Sequence, residues 1–103
     1  MALPTLTPEQ RAAALAAAAE TRRAQAEVLG RMRNGETSLA EVLSTDDQTI
    51  ARIRVARAVK AVPGIGAVKA AAALTEAGIQ ENRRVGGLTK GQRERLLEQV
   101  GQQ

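Results

Sequence analysis

The 103-residue chain contains no Cys, no His and no Phe, Tyr or Trp. Each absence removes a class of chemistry. Without Cys or His there is no disulfide framework, zinc finger, haem ligand, thiol nucleophile or imidazole base. Without aromatics, modules that read single strands by stacking bases on ring faces drop out. The eleven acidic residues are scattered, and none sits in a loop pattern suited to calcium. No apolar run approaches the roughly 20 residues of a membrane span, and the opening MALPTLTPEQ lacks the basic and apolar regions of a secretion signal. The expectation is one small cytoplasmic domain with no cofactor, no metal, no membrane partner and no catalytic residue.

What the chain has is positive charge, unevenly distributed. Its formal net charge is +4. Residues 1–50 carry five basic against seven acidic side chains, whereas residues 51–103 carry ten against four. The second half therefore holds all of the excess, and arginine outnumbers lysine twelve to three. Planar guanidinium forks suit phosphate, so this asymmetry points to a polyanionic partner.

The local signals are helical throughout. Thr7-Pro8-Glu9-Gln10 joins a capping hydroxyl, a first-turn proline and a Gln three residues on, and the run AAALAAAAE has near-maximal helix propensity. One helix of about 25 residues follows, ending at Asn34-Gly35. Its large apolar side chains are only Leu15, Val28, Leu29 and Met32, so its N-terminal half can bury little. Ser38-Leu39-Ala40-Glu41 starts a short helix that ends by Ser44-Thr45. Asp46 or Asp47 caps a stretch reaching Val62, in which Ile50 and Ile53 do not share a face with Val55, Val59 and Val62, so a break near Arg54 is predicted. Pro63 stops it. A helix from about Ala67 to Ala77 stops at Gly78, and Thr89-Lys90-Gly91-Gln92 opens a last one ending near Gly101. No segment has strand patterning. The fold class is all-α, with a long N-terminal helix (1–35) and a compact helical body (36–103).

The most informative segment is Val62-Pro63-Gly64-Ile65-Gly66-Ala67-Val68-Lys69. Its glycines permit strained dihedrals, and Ile65 between them can plug inward. The N–H groups of Gly64, Gly66 and the following helical turn then point to one place, as a phosphate oxygen requires, and Lys69 adds a charge. Helix, Pro-Gly-apolar-Gly, helix is the pattern of helix-hairpin-helix and helix-two-turn-helix DNA binders. Arg83 and Arg84, adjacent in a turn, are expected to splay, one to phosphate and one to a groove. Arg54, Arg57 and Lys60, with Arg52, form a further cluster spread around a helix. Arg11, Arg22 and Arg33 recur every eleven residues along one side of the first helix, where they offer a secondary contact to a duplex.

Taken together, MALPTLTPEQRAAAL, V-P-G-I-G-A-V-K-A and A-G-I-Q-E-N-R-R-V-G-G-L resemble the actinobacterial integration host factor, over nearly the whole chain and in order. The resemblance implies an all-α protein with a helix-two-turn-helix element. It implies a nucleoid-associated protein that binds double-stranded DNA with little sequence preference, bends and compacts it, and assists phage integrase recombination. No fold kinship with the β-armed integration host factor of enteric bacteria is implied. The family's hairpin then falls on Pro63, Gly64, Ile65 and Gly66, its following basic contact on Lys69, and its arginine pair on Arg83 and Arg84. Two departures stand out. The family often reads R-R-V-R-G-L where this chain has Gly86, and its helix after the hairpin is richer in basic residues than one carrying Ala67, Ala71 and Ala72. Both remove phosphate neutralisation. The implied partners are duplex DNA and a phage integrase–DNA complex, and a monomer in the nucleoid is expected.

Other readings of the same residues are an RNA-binding module related to a ribosomal small-subunit protein, a helical protein-interaction domain with incidental charge, and a lyase using Lys69 as nucleophile. The last needs a base-binding pocket that an alanine-rich helix does not suggest.

Overall fold

The computed structural model describes residues 5–101; Met1–Pro4, which open the resemblance to the family, lie outside them. The described residues form six α-helices: α1 (Pro8–Arg33), α2 (Leu39–Leu43), α3 (Gln48–Ala51), α4 (Val55–Lys60), α5 (Ala67–Ala77) and α6 (Lys90–Val100). A single 3-10 turn, Val85–Gly87, sits between α5 and α6.

The start and stop signals act as local chemistry dictates. Thr7 and Thr89 each form a reciprocal capping box, with Gln10 and Gln92, and Ser38 and Asp47 accept from the first turns of α2 and α3. After α1, Gly35 turns left-handed at φ +75°. The Glu36 N–H then donates to the Arg31 carbonyl and the Gly35 N–H to that of Met32, satisfying the last carbonyls of the helix. Gly78, at φ +71°, closes α5 the same way, with the Ile79 N–H donating to Leu74, and both of these side chains are buried.

The stretch expected to reach Val62 is two short helices. The break occupies residues 52–54, where the apolar phase changes, and α4 ends at Lys60 rather than Val62 because Ala61 and Val62 already belong to the turn before Pro63. Breaking there lets Ile53 and Val55 both point inward, each 1% exposed or less.

The core is aliphatic and holds no buried polar side chain among the described residues. Leu29 and Met32 from the end of α1, Leu39 and Val42 from α2, Val55 and Val59 from α4, and Leu96 from α6 meet there. Ala70, Ala73 and Ala77 share one face of α5 with Leu74, so that helix packs against α4 and α6 with little side-chain bulk between backbones. The start of α1 contributes nothing to this core. Leu15 is 63% exposed, and the radius of gyration of 16.0 Å exceeds the about 13 Å of a compact domain this size. The Gln25 amide on α1 donates to the Thr49 carbonyl at 3.0 Å, tying the helix to α3 partway along its length.

Candidate nucleic-acid interface

The turn between α4 and α5 supplies free donors. Gly64 has φ +85°, which lets the chain reverse directly after Pro63, and Ile65 turns half-buried against the core, its N–H bonded to the Val62 carbonyl. Every other helix of eight residues or more starts on a capping side chain, but α5 starts on Gly66, which has none. Among the described residues, the N–H groups of Gly64, Gly66, Ala67, Val68 and Lys69 have no partner. Exposed amides at the positive end of an eleven-residue helix form an anion-binding geometry. Pro63, Lys69 and Val68 beside them are exposed.

A Cβ at Gly64 would meet open space, so substitution there costs backbone strain alone. Gly64→Ala is expected to lower stability by about 1–2 kcal/mol, read from the urea midpoint, with no change in the slope of the transition.

The two basic clusters, thirty residues apart in sequence, meet through their backbones. Arg54 and Arg84 form an isolated antiparallel bridge, with the Val55 N–H donating to the Arg83 carbonyl and the Val85 N–H to that of Ile53, both at 2.9 Å. Extended dihedrals at Arg84 send neighbouring side chains to opposite sides. Arg83 folds over the 3-10 turn, its Nη1 3.2 Å from the Gly87 carbonyl oxygen, while Arg84 lines a cleft with Arg22, Arg52, Arg54 and Arg57. A second groove between α4 and α5 is lined by Arg54, Arg57 and Lys60 and runs to Ala67 at the start of α5. Arg54 and Arg57 belong to both concavities, so Arg84 and the start of α5 at Ala67 border one connected, mainly basic surface, on which Glu81 also lies; Arg83, Gly64, Gly66 and Lys69 line neither concavity.

The line of Arg11, Arg22 and Arg33 is not gathered into this face. Only Arg22 lines the cleft; Arg11 and Arg33 lie eleven residues to either side, about 16 Å along the helix. Arg52 lines it too, although its spacing on the sequence gave no reason to separate it from its neighbours. The bridge that brings Arg54 to Arg84 has no sequence signature, since a two-residue main-chain pairing leaves no alternation to detect.

Gly86 also has a spatial cause. A Cβ there would lie 2.8 Å from the Cβ and 3.3 Å from the carbonyl oxygen of Ala51, so this backbone excludes any side chain at that position. The missing third basic residue is therefore a packing consequence of Ala51 at the end of α3.

Short helices joined by two tight turns, with open amides at the second, define a helix-two-turn-helix domain. The family model for the S13-like H2TH domain matches residues 32–100. The chain is 46% identical to the integration host factor of Mycobacterium tuberculosis, over 98% of each chain. It is 43% identical to that of Streptomyces coelicolor, over 98% of this chain and 96% of the relative. A solved structure of sIHF bound to an 8bp palindromic DNA superposes with a TM-score of 0.77 at 35% identity, covering 82% of this chain and 97% of the other. The chain belongs to the actinobacterial integration host factor family.

Among the described residues, no helix is long and apolar enough to cross a membrane, and no group of acidic residues is placed to hold a metal ion.

Proposed function

We propose that this chain is a nucleoid-associated architectural protein that binds double-stranded DNA, bends and compacts it, and assists integrase-mediated recombination without catalysing a reaction itself. The observation that carries the reading is the uncapped start of α5 bordering, at Ala67, a groove lined by Arg54, Arg57 and Lys60, with Arg54 bridged to Arg84 next to it. A relative solved bound to an 8bp palindromic DNA supports the same partner. In this reading the amides of Gly64 and Gly66 and the ammonium of Lys69 take a backbone phosphate, with Pro63 and Ile65 shaping the turn. Arg84, Arg54, Arg57 and Lys60 follow the adjoining strand, while Arg83, held over the 3-10 turn by its bond to the Gly87 carbonyl, offers its remaining N–H groups to a neighbouring groove. Arg22 extends the contact to α1, whereas Arg11 and Arg33 serve only a duplex long enough to pass along that helix. None of these groups has a built pocket for one base, so sequence preference arises from duplex shape and deformability.

The test is fluorescence anisotropy of a labelled duplex of arbitrary sequence at several salt concentrations. Affinity is expected to fall log-linearly with salt, with a slope near −0.9 per phosphate neutralised, and to vary little with sequence. Absence of binding at low salt would overturn the reading. The S13-like character of the domain favours a second candidate, a structured RNA. Competition at equal salt separates them, and preference for RNA would replace the DNA assignment.

A further inference from the structure

The cleft between α1 and the body gathers five arginines from three parts of the chain. Five arginines line an open concavity of about 660 Å³: Arg22 from α1, Arg52 and Arg54 from the break before α4, Arg57 from α4, and Arg84 from the isolated bridge. No carboxylate lines it. Of the seven other arginines, four find partners within the chain: Arg31 reaches Glu27 at 2.6 Å, Arg23 reaches Glu20 at 3.5 Å, and Arg83 and Arg95 bond carbonyl oxygens; Arg11, Arg33 and Arg93 are scattered along α1 and α6 and do not line this cleft. Among the described residues, none of the five cleft arginines has a hydrogen bond or ion pair from its side chain.

We propose that this cleft is a binding site for a free oligophosphate, the triphosphate-type chain of a nucleotide or of an inorganic polyphosphate. Five like charges held around one concavity repel each other, and an anion that enters is neutralised from several sides at once. The concavity is open on one side, so an extended anion can lie along it without displacing the core. A duplex strand instead presents one charge per about 3.4 Å of axis on a convex surface, so only its edge can engage such a cleft. A linear oligophosphate places several charges on adjacent phosphates and can bring them all inside. Thr21 and Gln25, also on the wall from α1, add no opposing charge, and the Gln25 amide is tied to the Thr49 carbonyl. The inference goes beyond the DNA reading and does not depend on it. Arg22, Arg54, Arg57 and Arg84 belong to both sites, so a bound oligophosphate removes four cations from the proposed DNA face.

The test is isothermal titration of the full chain with inorganic tripolyphosphate near 0.1 M ionic strength, with no nucleic acid present. Saturable binding of one triphosphate per protein is expected. Arg22→Ala and Arg57→Ala should each weaken it about tenfold, as loss of a charge-assisted contact requires, while Arg23→Ala, one position along α1 and outside the cleft, changes it less than about twofold. Circular dichroism verifies that each variant is folded. No saturable binding, or equal losses in Arg22→Ala and Arg23→Ala, would overturn the site, the latter by showing only the response of net charge. A nucleoside triphosphate binding as tightly as tripolyphosphate supports a site that reads the phosphate chain alone; tighter nucleotide binding supports one that also holds the nucleoside.

Discussion

Replacing Arg54 and Arg84 together by alanine is expected to weaken duplex binding roughly 100-fold and to make the log–log salt slope shallower by about two units. Each guanidinium contact to a phosphate is a charge-assisted bond worth about 1.5–3 kcal/mol. Both side chains are exposed, so the lower value applies to each; the pair then sums to about 3 kcal/mol, and each 1.4 kcal/mol is tenfold. The fold should not suffer. The bridge between the two residues is made by main-chain N–H and carbonyl groups of positions 53, 55, 83 and 85, which alanine retains, and no side-chain bond is lost. Thermal stability within about 0.5 kcal/mol of the parent would verify this. The comparison is Arg23→Ala/Arg31→Ala, which removes the same formal charge from α1 outside the cleft. If that pair weakens binding equally, the proposed face has no special role and only the net charge of the protein matters.

Gly86→Arg, which would supply the basic residue that the family often carries, is expected to destabilise the protein instead of strengthening its hold on DNA. The new Cβ would press on the Cβ and the backbone of Ala51, neither of which can swing aside, and overpacking of this kind costs about 1–3 kcal/mol. For a chain of this size the melting temperature should fall by roughly 10 °C. Gly87→Ala is the internal control. Its nearest neighbour is the flexible end of Arg83 at 3.9 Å, and its stability should be near that of the parent. Adding Ala51→Gly removes the obstructing methyl and should restore most of the stability, less the about 1 kcal/mol that glycine costs in a helix. The restored double variant then carries one more cation beside Arg84, and its salt slope should steepen by about one unit. Equal stability of Gly86→Arg and the parent, or no recovery on adding Ala51→Gly, would show that the contact is not what keeps position 86 small.

Much of the architecture is written locally. Capping residues are short-range chemistry: a threonine followed three residues on by glutamine satisfies two orphan donors whatever the rest of the chain does, and this set the starts of α1 and α6. The glycines after α1 and α5 are equally local, because only a left-handed residue lets the next N–H reach back to the last turn. The mismatch in phase between Ile50/Ile53 and Val55/Val59 marked the break before α4. In the same way, the Pro-Gly-Ile-Gly run carries its own reversal, and its open amides follow from Gly66 having no side chain to cap α5.

What could not be read locally is which charges stand together. Arg54 and Arg84 are joined by two main-chain hydrogen bonds across thirty residues, and main-chain pairing this short imposes no pattern on the side chains. Arg22 reaches the same cleft because α1 leans on α3 at Gln25 and Thr49, a packing choice made by the aliphatic core; helical periodicity groups it with Arg11 and Arg33 instead. In the sequence the glycine at 86 is a missing cation; in the fold it is the only size that fits against Ala51. By itself the sequence determined the helices, the reversal at Gly64 and the excess of arginine in the second half, because each rests on bonds within a few residues or on composition. Only the tertiary structure decided the arginine cleft and the size limit at position 86, because both depend on which distant backbones the buried Leu, Ile, Val and Ala side chains bring into contact.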